Sequence, residues 1–148
     1  WTQIEDYPAI GSGVYFASGF NAGGKGYICG GKLGPDNYTS KLYEYKPSTN
    51  TWAERSSFPG GDRYQMIGFS VNGFAYLGLG ADEDIYRKDW YKYNPGSNEW
   101  TKLGDFYGGE RAAAVTFILN GNGYIAMGTD GGYEDDIWEY DEEFDSWI

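Results

Sequence analysis

The sequence predicts an all-β chain made of three copies of one four-stranded unit. Two observations lead there. A phrase of fixed aromatic spacing recurs along the whole chain, and turn residues divide each period into short strands. Composition agrees with both: 20% of the residues are aromatic, 24 are Gly and only 5 are Pro. Flat rings pack well on a pleated surface and Gly supplies turn conformations, so this mixture favours strands and hairpins over helices.

The period comes from the tryptophans. Trp1, Trp52, Trp100 and Trp147 stand 51, 48 and 47 residues apart. The last three each end the same phrase: Tyr45-Lys-Pro-Ser-Thr-Asn50-Thr-Trp52, Tyr93-Asn-Pro-Gly-Ser-Asn98-Glu-Trp100 and Tyr140-Asp-Glu-Glu-Phe-Asp145-Ser-Trp147. A second anchor lies upstream, in Tyr27-Ile-Cys-Gly-Gly31, Tyr76-Leu-Gly-Leu-Gly80 and Tyr124-Ile-Ala-Met-Gly128. Phe58-Pro-Gly-Gly-Asp-Arg63 and Phe106-Tyr-Gly-Gly-Glu-Arg111 form a third. Anchors that recur in one order at one period mark a repeat architecture.

Each unit divides into strands a to d. Strand a follows the arginine, over 64–71 and 112–119. Asn72-Gly73 and Asn120-Gly121 then mark hairpin turns, because both residue types tolerate positive φ. Strand b is the Tyr-x-x-x-Gly segment. Strand c alternates aromatics with period two: Tyr43 and Tyr45, Tyr91 and Tyr93, Trp138 and Tyr140. Its other face carries Leu42, Trp90 and Ile137, so both faces are expected to be covered. Pro47 and Pro95 fit a c–d turn, and strand d begins at the tryptophan.

The chain resembles the kelch-repeat family in these residues: a Gly after strand b (doubled at Gly30-Gly31), a Tyr and a Trp at fixed separation, and about 50 residues per unit. The resemblance covers essentially all of the chain. It departs at Leu79-Gly80 and Met127-Gly128, which lack the double Gly. It departs again at Ser12, aligned with Arg63 and Arg111, and at Glu142, which replaces the c–d proline. The resemblance implies a kelch-type β-propeller with three four-stranded blades per chain. The expected divisions are 1–7 as a strand d closing a partner's blade, 12–58 as the first blade, 63–106 as the second, and 111–148 as a third blade lacking most of its strand d. Propellers have roughly four to eight blades. Three blades are therefore expected to pair with three more in a homodimeric six-bladed ring, with strand exchange at the termini. The alternative is half of a longer six-bladed polypeptide, whether engineered or released by proteolysis.

Composition narrows function. A net charge of −11 repels phosphate backbones and anionic bilayers, so neither nucleic acid nor membrane is an expected partner. Histidine is absent, which removes the usual general base and the commonest metal ligand. The histidine-ligated copper chemistry of some kelch-like enzymes therefore does not carry over, and no cofactor is expected. The single cysteine, Cys29, lies in strand b and reads as buried and inert. Gly19-Phe-Asn-Ala-Gly-Gly24-Lys25-Gly26 approaches a phosphate-binding loop but lacks the final Ser or Thr and the helix. The repeat places it in an a–b turn lengthened by two residues.

What remains is a non-enzymatic interaction module with a peptide or glycan as partner. In the family, partners meet the face that carries the b–c and d–a loops. Tyr38, Tyr86, Tyr107 and Tyr133 lie in those loops, outside the repeating aromatic pattern, and are the candidate contacts. Asp82, Asp84 and Asp130 accompany them. These carboxylates read as solvated loop charge, as Ca²⁺ ligands without EF-hand spacing, or as the acid pair of a carbohydrate-active enzyme. Arg63 and Arg111 open strand a near the axis. They either bind a carboxylate ligand or tie blades together through Asp and carbonyl groups.

Overall fold

A computed structural model describes residues 1–8, 13–83 and 85–148. Three antiparallel four-stranded sheets follow one another in the chain, and no helix is present among the described residues. Blade 1 contains β1 (Ser18–Ala22) and β2 (Lys25–Cys29), followed by β5 (Leu42–Lys46) and β6 (Thr51–Arg55). Its b–c loop holds a small hairpin of β3 (Lys32–Gly34) and β4 (Asn37–Tyr38). Blade 2 comprises β7 (Ile67–Val71), β8 (Phe74–Gly78), β11 (Trp90–Asn94) and β12 (Glu99–Lys102), with the hairpin β9 (Ala81–Asp82) and β10 (Ile85–Tyr86) in its b–c loop. Blade 3 comprises β13 (Val115–Leu119), β14 (Asn122–Ala126), β15 (Ile137–Asp141) and β16 (Ser146–Trp147).

The blades stack face to face, and aromatics from all four strands fill the seams. Between blades 1 and 2 lie Tyr27, Leu42, Leu77, Tyr91 and Tyr93, with Phe58 at the edge. Between blades 2 and 3 lie Phe69, Tyr76, Trp90, Ile125, Tyr140 and Trp147. Each large ring removes roughly 150–250 Å² from water, so at about 25 cal/mol/Å² the seams dominate the folding free energy. Tyr7, Phe58 and Phe106 occupy equivalent places. Each meets a strand-c aromatic and the strand-d tryptophan edge-on: Tyr43 and Trp52, Tyr91 and Trp100, Trp138 and Trp147. Likewise the Glu5 N–H donates to Asn50 Oδ1 at 3.0 Å and the Ser56 N–H to Asn98 Oδ1 at 2.9 Å. The segment preceding Tyr7 thus follows the path of a d–a linker. It belongs to no sheet in this chain, and Trp1 is fully exposed.

Strand a is shorter than its apolar run. Gln65 (φ 53°) and Ala113 (φ 54°) have left-handed backbone, so β7 and β13 begin two residues later, while Tyr64 and Ala112 make single bridges to Ala81 and Thr129. Phe16 (φ 56°) and the Tyr15–Lys32 bridge repeat this arrangement in blade 1. Val14, not Ser12, therefore stands at the Arg63 position, and Ser12 itself lies outside the described residues. The a–b turn is not lengthened either. The pairing of Ala22 with Lys25 leaves only Gly23 and Gly24 in it, and the two extra residues fall in the linker before strand a. The left-handed residues connect neighbouring blades just before strand a, where the Gln65 N–H donates to the Phe16 carbonyl at 2.9 Å and the Ala113 N–H to the Gln65 carbonyl at 3.3 Å.

Close seam packing leads to a testable expectation. A Cβ on Gly123 would lie 2.2 Å from the Phe69 ring, whereas the equivalent Gly26, on the free face of blade 1, has its nearest neighbour at 3.8 Å. Gly123→Ala is expected to cost about 1–3 kcal/mol by overpacking and Gly26→Ala far less, as read by urea midpoints of the two variants.

Candidate functional site

The b–c loops end in the same way in every blade. The N–H of Thr39 donates to the Gly31 carbonyl at 3.0 Å, that of Arg87 to Gly80 at 3.0 Å, and that of Glu134 to Gly128 at 3.1 Å. The residue before each donor is a tyrosine: Tyr38, Tyr86 and Tyr133. The three are thus one structural position.

Their surroundings differ. Tyr38 stacks on Tyr64, which opens blade 2, with centroids 5.2 Å apart and 20° between planes. The Lys32 ammonium lies 4.1 Å from the Tyr64 centroid and 5.2 Å from that of Tyr38. At the next seam Ala112 holds the place of Tyr64, and Tyr86 makes no ring–ring contact among the described residues. Tyr86 lines an open depression of about 530 Å³, shared with Lys88, Lys102, Asp105, Glu110 and Asp130. Tyr133, at the end of the series, is fully exposed.

Of the residues singled out in the sequence, the structure brings Tyr86 and Asp130 into this one depression. Asp82 pairs with Arg87, accepting from Nε at 3.0 Å and Nη2 at 2.6 Å, which fixes the β9–β10 hairpin. Asp84 lies outside the described residues. Asp130 accepts the Gly132 N–H at 2.9 Å within its own loop. Tyr107 stands 63% exposed in the linker between blades 2 and 3. Among the described residues, no three Asp, Glu, Cys or His side chains converge as a metal-binding group. Cys29 is fully buried, and desolvation pushes its thiol pKa up, away from the reactive thiolate.

Arg63 and Arg111 are 2% and 1% exposed, and their guanidinium groups are engaged inside the chain. Arg63 grips Asp89 with two nitrogens, at 2.5 and 3.2 Å, and also donates to the carbonyls of Leu79 and Gly60. Arg111 grips Asp136 at 2.5 and 3.0 Å and donates to the carbonyls of Met127 and Gly108. Their rings of contact are completed by Phe58 and Phe106, each about 5 Å beneath a guanidinium. Each arginine thereby fastens the incoming d–a linker to strands b and c of its own blade. The backbone carbonyls of the same residues accept from Gly31 and Gly80 of the preceding blade, at 2.8 and 2.9 Å.

Tyr15 and Tyr64 did not stand out in the sequence, because neither falls in a repeated phrase. The signal that finds them is the left-handed residue that follows each, which only the backbone reveals.

No protein-family model and no curated protein matches the chain. The fold is shared with solved structures. That of YjhT is 19% identical and superposes with a TM-score of 0.79, covering 98% of this chain and 52% of that one. The chain therefore has a β-propeller-like fold. It spans about half the length of the YjhT chain it matches.

Proposed function

We propose that the chain is a kelch-type interaction module, not an enzyme, whose ring is completed by a second copy of itself and whose loop face binds a peptide or glycan. The observation that carries this reading is the contrast between equivalent positions. In blade 2, Ile67, Phe69, Leu79 and Trp90 are 7, 4, 0 and 0% exposed. Their counterparts on the free face of blade 3, Val115, Phe117, Met127 and Ile137, are 51, 41, 57 and 59% exposed. The free face of blade 1 carries Ile28, Tyr43, Tyr45 and Trp52, the counterparts of residues that blade 2 turns toward blade 1. The two free faces thus carry the two halves of one seam, and a second copy supplies each half to the other. Large contiguous apolar surfaces mark such interfaces.

Backbone groups support the same occupant. The Gly128 N–H and the Ala113 carbonyl are the groups that, one blade earlier, bond across a seam as Gly80 to Arg111 and Gln65 to Ala113. Light scattering on the size-exclusion peak is expected to give twice 16.5 kDa. A 16.5-kDa species with native near-UV dichroism would overturn the self-paired ring.

A further inference from the structure

We infer that the depression beside Tyr86 binds an uncharged sugar ring, stacked on the tyrosine. This names the ligand class for the loop-face binding proposed above and rests on that reading. The three loop-end tyrosines separate by what faces them. The Tyr38 ring is taken by Tyr64 and Lys32. Tyr133 holds the loop-end position of blade 3, where the proposed second copy would bring Tyr15, itself 47% exposed and equivalent to Tyr64. For Tyr86 the position that Tyr64 holds is Ala112, and among the described residues no ring stacks on it.

The lining decides the ligand's charge. Arg87, Lys88 and Lys102 face Asp89, Asp105, Glu110 and Asp130. Asp89 is held by Arg63 and Arg87 by Asp82, so Lys88 and Lys102 stand against Asp105, Glu110 and Asp130, one net negative charge. On a chain of net charge −11 this is a locally balanced patch. A charged ligand of either sign would meet lining groups of its own sign. A sugar hydroxyl both donates and accepts, so it can use lysine and carboxylate alike, and the apolar face of the ring suits a tyrosine. A volume of about 530 Å³ accommodates one or two rings. The Arg87–Asp82 pair holds the hairpin that carries Tyr86, so the platform is preformed.

The test is an array of neutral and acidic oligosaccharides probed with the whole chain, followed by calorimetric titration of the best neutral oligosaccharide. Tyr86→Ala is expected to weaken binding roughly tenfold or more, while Tyr86→Phe and Tyr133→Ala retain it. Absence of any neutral oligosaccharide binding, binding of acidic ones only, or equal affinity in Tyr86→Ala would overturn the inference. The depression lies within one chain, so the mass measurement separates the two ideas. A monomer that binds sugar through Tyr86 sinks the self-paired ring alone, and a dimer that binds none sinks this site alone.

Discussion

Phe117→Asp is expected to leave the three blades folded and to reduce the assembly to 16.5-kDa monomers in sedimentation equilibrium. Among the described residues Phe117 stacks only on Tyr124, at 5.0 Å with 6° between planes, and it is 41% exposed. A carboxylate there keeps its water in the monomer. In the proposed self-paired ring the same position is the equivalent of Phe69, which is 4% exposed against Tyr76, Trp90 and Tyr140. Losing a buried ring removes about 2–3 kcal/mol, and an unpaired buried carboxylate adds a desolvation cost of similar or larger size. A two-fold ring contains the seam twice, so the loss is about 8 kcal/mol or more and dissociation should strengthen by about a hundred-thousandfold or more. Phe69→Asp places the same change in a seam that is already closed and is expected to unfold the chain. If Phe117→Asp still sediments as a dimer, the free face of blade 3 is not the interface.

The repeat was legible in the sequence because its anchors are chemical. Tyr and Trp fill seams, Asn-Gly makes the a–b turns of blades 2 and 3, and Gly80 and Gly128 occupy positive-φ positions against neighbouring backbone. The strands follow the order those anchors give, but strand a begins three residues later than read, at Ile67 and Val115, and the blade 1 turn is only Gly23-Gly24. The kink before strand a was not legible. Phe16, Gln65 and Ala113 share a left-handed conformation but no side-chain property, because hydrogen bonds from one blade to the next impose it. The tyrosine series was hidden for a different reason. Tyr38, Tyr86 and Tyr133 follow Gly31, Gly80 and Gly128 by seven, six and five residues, so their alignment dissolves in loops of unequal length. Only the hydrogen bond that closes each loop restores it. The arginines were legible as a pair but not as to role. Asp89 and Asp136 lie about 25 residues downstream, one residue before strand c, where nothing in the repeat phrase points back to strand a.

Arg111→Met is expected to be the most destabilising single change in blade 3. It strands Asp136 and removes the donors to the Met127 and Gly108 carbonyls; Asp136 keeps 33% of its side chain in water, so the cost falls below that of a fully buried pair, at about 2–3 kcal/mol. The pH dependence separates this ion pair from simple loss of packing. The Arg111 hydrogen bonds hold the Asp136 carboxyl below its ordinary pKa, with the Trp138 indole N–H assisting at 2.7 Å, although partial burial acts the other way. A carboxyl with a lowered folded-state pKa stabilises the fold above its unfolded value of about 3.9, and that stability is lost as pH falls through the lower folded value. Wild-type stability should therefore fall between about pH 5 and pH 3 partly through Asp136. In Arg111→Met that part of the slope should shrink, while Arg111→Lys, which keeps the charge but not the two-pronged grip, should lie between them. Urea midpoints at pH 7, 5, 4 and 3 measure all three. A parallel decline in wild type and Arg111→Met would mean that the arginine contributes through its packing on Phe106 and not through Asp136.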